Sequence, residues 1–315
     1  MTVSDALDEL TAQQQEFRAE LSAHEWLLPS RDGELPGFGP QALSVYDGLA
    51  AAISRAARAQ FTGEFAPVRF PPVFAARMLE LTDYAFSFPQ LIGAIDSFDG
   101  DQVEYRRLVA DYSRGNDWKS ALGPTGFALV SAACHPLFGH LAGNGVDDAR
   151  IYELTGECFR NEPSADPMRF VCFHQREYVR LGTEQQAKDH RDRTISVAES
   201  VFASLGVAVE VVVANDPFFG RGGAVLAANQ LATEAKYELV TEIYAGKQTA
   251  IASANYHGTH FGDEFGLTLA DGGVAHSACC GYGLERITLA LARTHGYVVA
   301  AWPRAVRRTL GLSEL

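Results

Sequence analysis

Apolar and polar positions alternate along this chain at two different periods, and the changes of period mark its elements. Residues 4–27 carry the pattern of a helix with a polar face, and a Pro/Gly-rich break over 28–40 (Pro29, Pro36, Gly37, Gly39, Pro40) follows. A second, alanine-rich helix spans about 41–60 and is ended by Thr62-Gly63. The run Ala66-Pro67-Val68-Arg69-Phe70-Pro71-Pro72-Val73-Phe74 is strand-like, with prolines of the kind sheets admit at strand starts and edges. The middle, 120–182, holds Leu122-Gly123-Pro124-Thr125, a Cys134-His135-Pro136 turn, and two strands flanking a loop at 161–168. Glu184 to Leu205 form a clear helix. Beyond it come a strand-like Val207–Val213, a turn at Asn215-Asp216-Pro217 and a helix at about 224–234. Strand-like segments at 236–245, 248–255 and 265–270 lead to a last helix over 283–294. Strands dominate the centre and helices flank them, which predicts an α+β fold with an antiparallel sheet and helices on one side. No internal repeat or low-complexity linker divides the chain, so 1–315 reads as a single domain with an N-terminal helical segment over 1–60.

Composition narrows the function. The chain has 315 residues, 47% hydrophobic and 21% charged, an ordinary globular balance. Its net charge of −13 argues against a chain that wraps nucleic acid, because such affinity comes largely from neutralised phosphates. No apolar run reaches a membrane span, and the acidic, polar N-terminus is not a secretory signal. A cytoplasmic protein is expected. The five cysteines, at irregular spacing, point to reduced thiols, some of them metal ligands, and not to a disulfide framework.

Two stretches carry chemistry. One is Phe159-Arg160-Asn161-Glu162 with Arg169, Phe173 and Glu177 after it; the other is Gly281-Tyr282-Gly283-Leu284-Glu285-Arg286 before the largely apolar run Ile287 to Ala292. An isolated arginine is most often a surface ion pair. Gly281-x-Gly283 lacks the third glycine and the following strand of a dinucleotide loop. Taken together and in this order, the stretches resemble motifs 2 and 3 of the class II aminoacyl-tRNA synthetases, and 41–74 loosely resembles motif 1, which in that family forms a dimer interface. The resemblance implies a class II synthetase-like antiparallel sheet and activation of a carboxylate by ATP. Fork-shaped cations suit this chemistry, because charge develops on the α-phosphate under attack.

By position in those motifs, Arg160 would contact the α-phosphate, Glu162 the adenine end, and Arg169 the γ-phosphate. Phe173 would stack on one face of adenine and Arg286 on the other, a use of π-faces that both side chains permit. Phe170, Lys236 and the segment Ala250, Ile251, Ala252 and Ser253 would be further ATP contacts; Lys236 reads equally as a solvated lysine. Arg160 and Arg286 would be the catalytic pair.

The resemblance extends to a zinc site. Cys134, Glu177 and Cys279 fall where atypical seryl-tRNA synthetases of methanogenic archaea hold one zinc per subunit with two cysteines and a glutamate. Three protein ligands leave a fourth position open for a substrate amino group. Cys280 adjoins Cys279 and is the alternative ligand. Cys158 and Cys172, inside strand-like segments, read as small hydrophobes.

Over most of its length the chain is most similar to the amino acid:carrier-protein ligases, bacterial homologues of those synthetases. The strings that carry this are Arg69-Phe70-Pro71-Pro72-Val73, Phe88-Pro89-Gln90-Leu91, Arg176-Glu177-Tyr178-Val179-Arg180-Leu181-Gly182-Thr183, Ala214-Asn215-Asp216-Pro217-Phe218-Phe219-Gly220-Arg221 and Asn255-Tyr256-His257. The resemblance implies a homodimeric ligase without a tRNA-binding domain. Zinc, Glu177 and Asp216 would hold glycine or alanine, and ATP with Mg²⁺ would form the aminoacyl-adenylate. The phosphopantetheine thiol of a carrier protein would then accept the aminoacyl group. Asp216 reads otherwise as an Asx-turn residue before Pro217. The glutamate that holds Mg²⁺ in seryl enzymes is replaced by Thr249, and Glu238 is the substitute considered. The helix 184–205 is expected as an insertion whose Lys188, His190, Arg191 and Arg193 dock the carrier; Asp189 and Asp192 interleave with them, as on a plain solvated face. The competing readings are a seryl-tRNA synthetase-like enzyme working with a helper chain, and a non-catalytic synthetase-like regulator. Such regulators usually lose the phosphate-contacting arginines, which are present here.

Overall fold

The structure, a computed structural model, describes residues 3–29 and 35–312. Part of the Pro/Gly-rich break, 30–34, lies outside them, as do the first two and last three residues. Helix α1 (Val3–Ala23) stops short of its expected end, just before Glu25 takes a left-handed backbone with φ 54°. A two-stranded ribbon, β1 (Leu27–Leu28) with β2 (Gly37–Phe38), follows. Helix α2 (Pro40–Gln60) starts with proline in its first turn, where the missing N–H costs nothing, and buries Ala42, Val45, Leu49 and Ile53 along one stripe.

The single strand expected over 66–74 is two strands in different sheets: β3 (Glu64–Val68) and β4 (Val73–Ala75). Pro71-Pro72 between them has no N–H to continue a ladder. Short helices α3 (Met78–Leu81) and α4 (Tyr84–Ser87) lead to β5 (Ala94–Ser97), α5 (Gln102–Ser113) and β6 (Gly123–Leu129). Helix α5 was not anticipated from the hydrophobic pattern; an Asp101/Glu104 capping box starts it, and none of its residues is buried. Cys134-His135-Pro136 is the start of α6 (His135–Leu141) and not a turn, with Cys134 at the N-cap.

The main sheet has seven strands in the order β3-β7-β8-β12-β11-β10-β9: β7 (Arg150–Phe159), β8 (Cys172–Gly182), β9 (Glu210–Val213), β10 (Lys236–Tyr244), β11 (Lys247–Gly258) and β12 (His276–Gly283) join β3. Every pair is antiparallel except β3 with β7. Between the strands run α7 (Glu184–Ser204), α8 (Gly220–Ala232) and α9 (His260–Phe265); α10 (Leu284–His295) and α11 (Arg304–Thr309) close the chain. The strand expected at 265–270 is absent. Phe265 ends α9, Gly266 is left-handed (φ 62°), and Leu267 and Leu269 bond back to 273–275 as a tight turn. Their alternation imitates a strand because both side chains face the core.

One face of the sheet packs on the long helices α2, α7 and α10, with Tyr178, Cys280, Tyr282 and Leu284 in that core. The other face packs on α6, α9 and the three-stranded sheet β4-β6-β5, with Val179, Leu181 and Cys279 in its core. Helix α7 belongs to the first layer. It does not stand off as an inserted docking element: His190 and Arg191 are buried, His190 Nε2 faces the Tyr178 carbonyl at 3.1 Å, and Arg191 donates to the Glu234 carbonyl at 2.8 Å. Lys188, paired with Glu184, and Arg193 remain outside. Among the described residues no helix is long and apolar enough to cross a membrane.

Candidate active site

The pleat of the sheet decides what reaches the site. Successive side chains of a strand point to opposite faces, so Glu177 and Val179 on β8, and Cys279 and Gly281 on β12, share the face turned away from the long helices. Glu177 lies opposite Gly281 in the ladder, and Cys279 lies opposite Asn255 of β11. Cys280 points the other way, into the helical core, where burial pushes its thiol pKa up. From across the cavity the N-cap of α6 brings Cys134. The ligand atoms of Cys134, Glu177 and Cys279 all lie within 4.8 Å of one another, and all three residues are buried. Glycine at 281 keeps this space open, since a Cβ there would sit 3.2 Å from Glu177 Oε1.

Burial and mutual proximity set the electrostatics of this cluster. Burial, and then the neighbouring Cys279, raise the Glu177 carboxyl to a pKa of about 8, and its Oε2 has no hydrogen-bond partner among the described residues. The hydrogen bond with Cys279 raises the Cys134 pKa, while the same bond lowers that of Cys279, aided by His257 and Asn255. Two thiols and an orphaned carboxylate oxygen with no protein cation among them match the donor set of a three-ligand zinc site.

Beside the cluster lies a cavity of about 630 Å³. It is lined by Arg160, Glu162, Phe170, Phe173, Asp216, Lys236, Ala250 to Ser253 and Arg286, along with the three candidate ligands. Arg160 leaves the end of β7, donates from Nε to the Ser131 carbonyl at 3.2 Å, and stands 5.3 Å from the Phe173 ring centroid. Arg286 in the first turn of α10 donates to the carbonyls of Met168 (2.8 Å) and Ala250 (3.1 Å). Burial, then Arg160 and Arg169, lower the Arg286 pKa; guanidinium groups crowded in this way favour a polyanion between them. The ladder of β11 on β10 passes from Ala252 to Ala250 and skips Ile251, a bulge at the cavity wall.

Two expected contacts sit differently. Arg169 is exposed and off the cavity lining, 3.6 Å from Glu162. Lys236 is buried, with Nζ 2.5 Å from Asp216 and 3.1 Å from Glu238. Burial alone would raise the Asp216 pKa, but Lys236 and then Gln230 hold it low, so Asp216 is a fixed anion at the cavity wall and more than a turn former. Sequence reasoning assigned no role to Asn255, His257 or Gln230, all of which line the cavity. For the first two, the signal was their two-residue spacing on a strand.

The class II core profile of tRNA synthetases (G, H, P, S and T) matches residues 149–295. Amino acid–[acyl-carrier-protein] ligase 1 of Bradyrhizobium diazoefficiens is 37% identical over 248 residues, 78% of this chain and 76% of that protein. Ligase 2 of the same organism is 37% identical over 250 residues, 78% and 75% of the two chains. A type-2 serine–tRNA ligase of Methanococcus maripaludis is 27% identical over 203 residues, 61% of this chain and 40% of that one. In fold, the chain is similar to M. kandleri SerRS solved in complex with A. aeolicus tRNASec (TM-score 0.78, 19% identity, 93% of this chain and 60% of that one). It is also similar to seryl-tRNA synthetase from Pyrococcus horikoshii complexed with ATP (TM-score 0.67, 14% identity, 94% and 62%). With a class II aminoacyl-tRNA synthetase core and this identity over most of both chains, the protein belongs to the amino acid–[acyl-carrier-protein] ligase family.

Proposed function

We propose that the protein uses ATP to activate glycine or alanine and passes the aminoacyl group to the phosphopantetheine thiol of a carrier protein, working as a homodimer. The observation that carries this reading is one cavity lined both by the half-buried guanidinium groups of Arg160 and Arg286 and by the Cys134–Glu177–Cys279 cluster. The names of the two Bradyrhizobium relatives support a carrier protein as the acceptor. When bound to the cluster, zinc supplies a position that takes a free α-amino group.

The chain's own residues do the rest. Asp216, held anionic by Lys236, lines the same cavity and would meet the amino group there. Arg160 and Arg286 draw the triphosphate in, with Phe173 and Phe170 against the base, and neutralise the charge that builds as a carboxylate oxygen bonds to the α-phosphorus and pyrophosphate leaves. The nucleotide would bring Mg²⁺ with it, to offset the charge of its phosphates. In the second step the carrier thiol loses its proton, its sulfur bonds to the acyl carbon, and AMP departs. The carrier's arm would reach in past α8, whose Leu226, Asn229 and Gln230 line the cavity and whose Val225 and Leu231 are exposed beside them.

Amino-acid-dependent ATP–pyrophosphate exchange, run with all twenty amino acids before and after zinc chelation, tests the reading. A chelator-sensitive signal confined to glycine or alanine is expected. A signal with serine alone would move the protein to the synthetase reading, and silence from zinc-loaded protein would make it a regulator.

A further inference from the structure

The two strands beside the metal cluster carry a second row of polar groups behind Cys279. Asn255 Nδ2 donates to Cys279 Sγ at 3.6 Å, and His257 Nε2 lies 3.5 Å from the same sulfur. The other ring nitrogen of His257, Nδ1, is 2.9 Å from Ser277 Oγ, and Ser277 is buried. Ser277 and Cys279 are two apart on β12 and Asn255 lies opposite Cys279 on β11, so the pleat turns these three toward one face.

Backbone geometry has been adjusted to allow this. The ladder between β11 and β12 runs from Tyr256 opposite Ala278 to Gly258 opposite Ser277, leaving His257 out of the register. Gly258 takes a left-handed φ of 59° to close the irregularity. Bulges re-aim a side chain, and here the re-aimed side chain is the imidazole over the sulfur. The rings of Phe261 (4.9 Å) and Phe138 (6.2 Å) wall it in on the far side.

We infer that Asn255, His257 and Ser277 form a hydrogen-bond relay that positions Cys279 Sγ and tunes it as a metal ligand. The inference rests on the zinc reading of the cluster. The logic of the relay is one of tautomers. A thiolate takes hydrogen bonds and gives none, so His257 must present Nε2–H to it, which leaves Nδ1 as an acceptor for the Ser277 hydroxyl. The opposite tautomer would set an imidazole lone pair against the sulfur's negative charge. Two N–H groups withdrawing density from Cys279 make it a weaker electron donor than an unsupported thiolate would be, and they hold its χ1 in the direction of Cys134 and Glu177. All three relay members are positioning residues.

Metal affinity measured by competition with a chromophoric chelator is the first readout, and the thiolate-to-metal charge-transfer band of the Co²⁺-substituted protein is the second. His257→Phe should lower zinc affinity about tenfold to a hundredfold, because the sulfur loses the partner that orients it toward Cys134 and Glu177, a loss that outweighs its stronger donation. It should also move the band to lower energy, as the sulfur becomes the better donor. His257→Gln keeps an N–H near the Nε2 position and should restore most of both signals; His257→Asn, whose amide reaches only the Nδ1 position, should not. Ser277→Ala should act in the same direction as His257→Phe and more weakly. Wild-type affinity together with an unmoved band in the soluble, folded His257→Phe or Ser277→Ala protein would overturn the relay while leaving the zinc site standing. Failure of the wild-type protein to take up zinc at all would instead remove the zinc reading, and the relay with it.

Discussion

Acid should weaken this fold through one buried histidine on the helical side of the sheet. His190 on α7 is buried against the sheet, its Nε2 3.1 Å from the Tyr178 carbonyl and its ring 5.3 Å from Phe61. Burial pulls its pKa down from 6.5 to about 4; the hydrogen bond to Tyr178 opposes this, and the charge of Arg180 adds to it. Between those two values the unfolded chain binds a proton that the folded chain refuses, so stability falls as pH falls through that window and is fully present above it. The two pKa values differ by about 2.5, which sets a ceiling of about 3 kcal/mol, of which about 2 kcal/mol is lost by pH 5. His190→Gln keeps an amide donor for Tyr178 and cannot titrate. Urea unfolding of both proteins at pH 7, 6 and 5 isolates the effect, because His135, whose pKa burial lowers to about 3, is common to both and cancels. The wild-type protein should lose about 2 kcal/mol more than the variant between pH 7 and pH 5. Parallel losses would refute the argument that burial, and not the hydrogen bond, governs this ring.

Other outcomes follow from geometry already described. Cys279→Ser should abolish bound zinc and amino-acid-dependent pyrophosphate exchange, whereas Cys280→Ser should leave both near normal; metal content by mass spectrometry decides it. Arg160→Gln should lower kcat for exchange by roughly a hundredfold to a thousandfold, the usual loss when a donor to developing charge is removed. Val225→Glu on the exposed side of α8 should slow transfer to the carrier in a thioester assay and leave exchange unchanged, and equal loss in both assays would sink α8 as the approach route. A Cβ at Gly48 would run into the Leu310 carbonyl, so Gly48→Ala should cost roughly 1–3 kcal/mol in denaturant unfolding.

The parts of the fold that the sequence makes plain are those where a period survives burial. Helices α2 and α7 each keep a polar side, and the ends of these two and of α10 were legible to within a residue or two. Strand β12 was missed because 277–282 is buried on both faces, so no alternation remains to be read. The turn at 266–270 was misread for the opposite reason: alternating apolar residues there serve a core without any ladder. At the site, the residue types and motif spacing brought Cys134, Glu177, Cys279, Arg160 and Arg286 into one cavity. Spacing could not show that Lys236 would be taken up by Asp216, or that two of the four charged or titratable groups read as a docking face on α7 would turn inward. Those outcomes depend on which side of an element faces the sheet, a property of packing between segments distant in sequence.

Adjacent thiols at 279 and 280 also bear on how faithfully the sheet must assemble. A slip of β12 by one residue would still offer the cavity a cysteine, so sulfur chemistry alone would not reject the error. The same slip would drive Tyr282 into the space that Gly281 leaves in front of Glu177, and would withdraw that ring from its place between Tyr178 and Phe202 in the helical core. Proofreading of the register therefore falls to bulk: the smallest and one of the largest side chains, side by side, reject a misaligned strand that its ligand atoms would have accepted.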